Sequence, residues 1–200
     1  MGTGRLEAFS DGVIAVIITI MVLELKLPRD TDLGSLRSVI PQLLSYLLSF
    51  VVVAIMWVNH HHFLRSARRA DARLLWSNNF LLFWMSLVPF VTALIGSHSH
   101  DPRSVALYGI VMCFCSIAFA MVRSAIGQHH RDNPEVLLYH RDMWRKNVYS
   151  LLLYVLAVVM AFVDVRVSYA IFVFVALSYF LPERKIPDGG ETGSHISSGD

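Results

Sequence analysis

The sequence predicts an all-α, polytopic membrane protein with six transmembrane helices per subunit and both termini cytoplasmic. Composition is the first reason: of 200 residues 55% are hydrophobic and 16% charged, with a mean hydropathy of +0.54, against ~25% charged residues in an average soluble domain. The second is a set of six apolar runs, at about 10–27, 40–58, 74–95, 105–126, 148–163 and 167–181, most of which approach the ~20 residues a bilayer helix needs. The third is charge. Assigning alternate connections to alternate sides puts twelve Lys and Arg residues on one side and five on the other, and the positive-inside bias makes the richer side, with both termini, cytoplasmic. A multi-pass membrane protein follows, with the lipid bilayer as its surroundings. A net charge of +2 spread along the chain lacks the basic stripe that nucleic-acid binding requires.

The first run carries Glu7 and Asp11 at its head and lacks the small-residue cleavage site of a secretory signal, so it is predicted to be retained. The second ends in Trp57-Val58-Asn59-His60-His61-His62-Phe63, and the third begins with Trp76-Ser77-Asn78-Asn79. Within the fourth, Cys113 and Cys115 are two residues apart, a spacing that turns them ~200° away from each other on a helix. They are expected to be small core residues without a disulfide. The stretch 127–146, with His129-His130-Arg131-Asp132-Asn133-Pro134-Glu135, reads as a solvated cytoplasmic loop. The fifth and sixth runs are split only by Asp164-Val165-Arg166, which predicts a tight helical hairpin. Residues 1–186 form one transmembrane domain, and the Gly- and Ser-rich tail 187–200 is expected to be disordered.

Asp11 organises the polar residues. An acid in hydrocarbon costs about 2.5–3.5 kcal/mol at a helix centre and less near the ends, so it needs a partner. The end of the second run and the start of the third lie at the same membrane level as Ser10 and Asp11, which makes Asn59, His60, His61, Asn78 and Asn79 candidate partners. Adjacent histidines point ~100° apart on a helix, whereas helical metal pairs use i,i+4 spacing. The run at His60 to His62 therefore favours a structural or proton-sensing role over a metal site, and no metal or cofactor is expected. A triad of Ser10, His60 and Asp11 fails because a serine next to its own aspartate leaves no orienting chain, and no Gly-rich phosphate loop or paired catalytic carboxylates point to an enzyme.

On a helical wheel Gly12, Val16, Ile20, Leu23 and Leu27 share one stripe with Thr19 at its edge, and Arg5 and Phe9 extend it. Glu7, Ser10 and Asp11 fall on the other face. Periodicity alone fits lipid contact, core packing or, with several copies around an axis, a pore wall.

The R-x-x-x-F-S-D pattern of Arg5, Phe9, Ser10 and Asp11 resembles that of the transmembrane protein 175 family of potassium channels. The W-x-N-H-H run of Trp57, Asn59, His60 and His61 and the Asn-rich start of the third span, leading to Pro89-Phe90, support the likeness. The resemblance implies a homotetramer around the first helices and a potassium-selective pathway without a T-V-G-Y-G filter, which this sequence lacks. It implies a hydrophobic constriction at Val16, further apolar layers at Ile20 and Leu23, and a threonine selectivity layer at Thr19. Family members more often carry isoleucine or leucine at the constriction, so Val16 implies a wider ring. Arg5, Phe9, Ser10 and Asp11 are implied to form a structural network with Trp57, Asn59, His60, His61 and Asn79. The alternative is a proton- or cation-coupled transporter using Asp11, Glu24 and the histidines; the Gly/Pro-interrupted matching halves expected of one are absent from the sequence.

Overall fold

A computed structural model of the protein describes residues 2–26, 33–67, 69–128 and 134–179. Among these residues every regular element is an α-helix: α1 (Thr3–Leu23), α2 (Leu33–Ser66), α3 (Ala72–Ser86), α4 (Val88–Ser97), α5 (Pro102–Gly127), α6 (Pro134–Met160) and α7 (Val165–Ser178). Among the described residues four stretches are long and apolar enough to cross a membrane: Thr3–Leu23, Val39–Ser66, Ala72–Ser97 and Pro102–Gly127. The third of these contains both α3 and α4. Pro89 has no N–H for the Met85 carbonyl and its ring crowds that turn, so the span breaks at Leu87.

Carboxylates set the helix starts. Asp71 accepts a hydrogen bond from the Leu74 amide at 2.9 Å, opening α3. Asp101, just before Pro102, accepts from the Arg103 amide at 3.0 Å, and Asp164 accepts from the Arg166 amide at 2.9 Å to open α7. The last two helices fold back on each other in the hairpin that Asp164-Val165-Arg166 suggested. Ser168 Oγ donates to the Ala157 carbonyl at 2.7 Å across that turn.

Several boundaries depart from the apolar runs. α1 starts at Thr3, so the whole polar cluster is helical rather than leading into a helix. α2 continues through His60, His61 and His62 to Ser66. α6 begins at Pro134, so much of the stretch expected to be a solvated loop is helix; a proline is well placed in a first turn, where its missing N–H has no partner to lose. Leu27 and the tail 187–200 lie outside the described residues.

α5 is the central post, packed against α6 and α3 and also against α4, while α1 leans on α2, α3 and α4. Small side chains let the helices approach. A Cβ on Gly109 of α5 would sit 2.7 Å from Val158 Cγ2, and one on Gly96 of α4 would sit 3.1 Å from the Gln42 Cα. Polar groups in this core are joined together. Thr92 Oγ1 lies 2.7 Å from Ser49 Oγ, which lies 3.2 Å from the Tyr108 hydroxyl, linking α4, α2 and α5. Cys113 and Cys115 are free thiols, the second buried in the core.

Candidate functional site

The site is α1 itself, held by its foot on one side and open along the other. Leu6, Ser10, Ile14, Ile17 and Met21 form its buried face. The spacing of four, four, three and four residues is that of a single helix stripe.

At the foot, one chain of hydrogen bonds ties three helices together. Ser10 Oγ donates to the Leu6 carbonyl at 2.8 Å, which commits its only proton. The group facing Ser10 must therefore donate, and Asn78 Nδ2 does so at 3.0 Å. The amide is thereby oriented with Oδ1 toward His60 Nε2, 2.7 Å away. Because an amide oxygen only accepts, the Nε2 nitrogen carries the proton. Ser10, His60 and Asn78 are all fully buried, so this chain satisfies groups that water cannot reach.

A second pair of contacts flanks the first. Trp57 Nε1 donates to Asp11 Oδ1 at 2.8 Å, giving the acid the partner it requires. His61 Nδ1 lies 2.8 Å from Glu7 Oε1, and Arg65 Nε lies 3.9 Å from the same oxygen. Trp57 and His61 are one turn apart on α2, and their rings meet at 5.8 Å.

Four of the residues expected in this network stand outside it, among them Phe9, which is 56% exposed on the open side of α1. Asn79 is exposed and borders a groove with Leu6, Phe9, Leu75 and Trp76, because one residue of helix turns it ~100° from Asn78. Asn59 turns away from α1 for the same reason and borders a cavity with Ser116, Arg123 and Asn147. Arg5 is exposed, with no ion pair among the described residues. The residue that does the bridging, Asn78, was one of several candidates. Its signal is its register: Leu74, Asn78, Leu81 and Met85 form the buried stripe of α3, so a polar group at that position is enclosed.

The opposite face of α1 is open from end to end. Phe9 is 56% exposed, Val16 55%, Ile20 41% and Leu23 80%, with Gly12 and Thr19 exposed between them and Arg5 exposed before them. Thr19 Oγ1 donates to the Val16 carbonyl at 2.8 Å. Its proton is used within the helix, so what it turns outward is an oxygen lone pair.

A bundle of apolar helices with one helix clamped at its foot and bare along its length defines a polytopic α-helical membrane protein. Residues 5–89 match the family pattern of the endosomal/lysosomal potassium channel TMEM175. The chain is 37% identical over 186 residues to a potassium channel of Chryseobacterium sp., an alignment covering 93% of this chain and 96% of that one. It is 32% identical over 190 residues to a potassium channel of Chamaesiphon minutus, covering 89% and 93%. The crystal structure of a lysosomal potassium-selective channel TMEM175 homolog from Chamaesiphon minutus superposes with a TM-score of 0.79 at 29% identity, over 88% of this chain and 95% of that chain. The chain belongs to the TMEM175 family, which is a family of ion channels and not of enzymes.

Proposed function

We propose that this protein is a potassium-selective channel of the cell membrane, four copies surrounding a pore lined by the open face of α1, with both termini cytoplasmic. One observation carries the reading. The stripe of Phe9, Gly12, Val16, Ile20 and Leu23 is left bare by its own subunit, while the other face is fastened by buried polar contacts. The names of the bacterial relatives as potassium channels supply the permeant ion.

In this reading the foot fixes rotation and the stripe does the work. Asp11, through Trp57, and Ser10, through Asn78, keep α1 from turning about its axis, so Val16 stays toward the pore. A ring of Val16 side chains is the hydrophobic constriction, which blocks ions by excluding water when narrow. Thr19, one turn further, offers an oxygen lone pair with which a ring of hydroxyls replaces part of an ion's hydration shell. Ile20 and Leu23 add apolar layers beyond it.

Purified protein in liposomes, loaded with potassium and held at a set voltage, tests this. Potassium flux that does not saturate at carrier-like turnover, and that falls when sodium replaces potassium, is expected. Saturable slow exchange, or no flux, overturns the channel reading in favour of a transporter or a non-conducting protein.

A further inference from the structure

The histidine run lacks metal-ligand spacing by itself, yet the foot of α1 supplies the missing ligands. Glu7 and Asp11 are four residues apart on one helix, so their carboxylates leave the same side of it. From α2, His61 brings an imidazole to both. One carboxylate oxygen from each acid and one ring nitrogen of His61 all lie within 4.8 Å of one another, and all three side chains are half-buried, within reach of an ion. His61 Nδ1 and Glu7 Oε1 are 2.8 Å apart, already the separation of two ligands on one metal.

Charge and orientation add to the geometry. Two carboxylates face one imidazole, so a negative charge is left over even when His61 is protonated. Arg65 offsets it only from 3.9 Å and with a side chain 70% exposed to screening. Trp57 Nε1 holds Asp11 Oδ1 at 2.8 Å, which leaves Oδ2 for a ligand, and such outer hydrogen bonds are how proteins aim metal-binding carboxylates.

We propose that Glu7, Asp11 and His61 bind a divalent transition-metal ion of the zinc class, fastening the foot of α1 to α2. Two oxygens and an imidazole nitrogen suit such an ion, whereas magnesium and calcium favour oxygen alone. At Zn–N and Zn–O lengths of about 2.0–2.2 Å, the longest separations close by roughly 1.5 Å, within the reach of side-chain rotation. Water completes the coordination. The metal would sit between Nδ1 and Glu7 Oε1, where the two now face each other at 2.8 Å. Nothing here depends on conduction.

The test is a calorimetric titration of tag-free, metal-stripped protein with Zn2+, alongside thermal unfolding with and without it. Expected is saturable binding of one Zn2+ per subunit that raises the unfolding temperature. Losing an outer hydrogen-bond partner alone weakens a metal site by about 10–100-fold, so His61→Ala is expected to weaken this one by at least about 100-fold. Glu7→Gln keeps the side-chain shape and tests the same point if His61→Ala folds poorly. A His98→Ala/His100→Ala variant, altered at two exposed loop histidines, should bind as wild type does. Equal binding by wild type, His61→Ala and Glu7→Gln overturns the proposal, as does displacement of Zn2+ by an equal concentration of Mg2+ or Ca2+.

Discussion

Replacing Asn78 with leucine tests which of the candidate asparagines Asn59, Asn78 and Asn79 holds the foot of α1. The substitution keeps the branching and heavy-atom count of a fully buried side chain, though not its volume, and removes two hydrogen bonds, to His60 at 2.7 Å and to Ser10 at 3.0 Å. Interhelical hydrogen bonds in membrane proteins average about 0.6 kcal/mol and reach about 1.7, so the pair contributes about 1–3 kcal/mol. The His60 Nε2–H is then buried without an acceptor, costing about 1–3 kcal/mol more. The sum is about 2–6 kcal/mol. At about 2–4 °C per kcal/mol for a chain of this length, the unfolding temperature of the purified protein in detergent should fall by roughly 5–20 °C. Ser10→Ala should cost less, since it leaves only the Asn78 amide short of an acceptor. Asn79→Ala, at an exposed position, should stay within about 0.5 kcal/mol of wild type. If Asn79→Ala destabilises as much as Asn78→Leu, the hydrogen-bond chain at the foot of α1 is wrong.

Other substitutions probe the remaining links. Val16→Ala should raise open conductance, and Thr19→Ala should lower the preference for potassium over sodium, both read from reversal potentials and currents in planar bilayers. Trp57→Phe removes the 2.8 Å bond to Asp11 but leaves a ring in place; a loss of about 1–3 kcal/mol in thermal unfolding is expected, and Asp11→Ala should lower the yield of assembled oligomer on size-exclusion chromatography. Gly109→Ala forces a methyl to 2.7 Å from Val158 Cγ2 and should cost about 1–3 kcal/mol. Adding Val158→Ala should recover most of that loss, whereas no recovery places the strain elsewhere.

Much of this structure was legible because the membrane constrains it so strongly. Apolar runs marked the spans, and a wheel drawn on residues 5–23 separated the face of Ser10 from the face of Val16. Boundaries were less legible, since helices run past the hydrocarbon-like segment: α2 to Ser66 and α6 from Pro134. The break at Leu87 follows from Pro89, but proline in a membrane helix signals a kink without fixing its size. Choosing among Asn59, Asn78 and Asn79 required the rotation of α2 and α3 about their axes. Only the burial of Leu74, Leu81 and Met85 beside Asn78 sets that rotation. The approach of Glu7 to His61 was hidden for a like reason, because it joins residues from two helices whose spacing in sequence carries no information.

The most direct test of the central claim is cysteine scanning of α1 during single-channel recording, in a background with Cys113 and Cys115 replaced by serine. A water-soluble, thiol-reactive cation should block channels carrying cysteine at Val16, Ile20 or Leu23, on the open face, and leave those carrying it at Ile14, Ile17 or Met21, on the buried face, conducting. Block that follows the buried positions, or that ignores position along α1, contradicts a pore lined by the first helix.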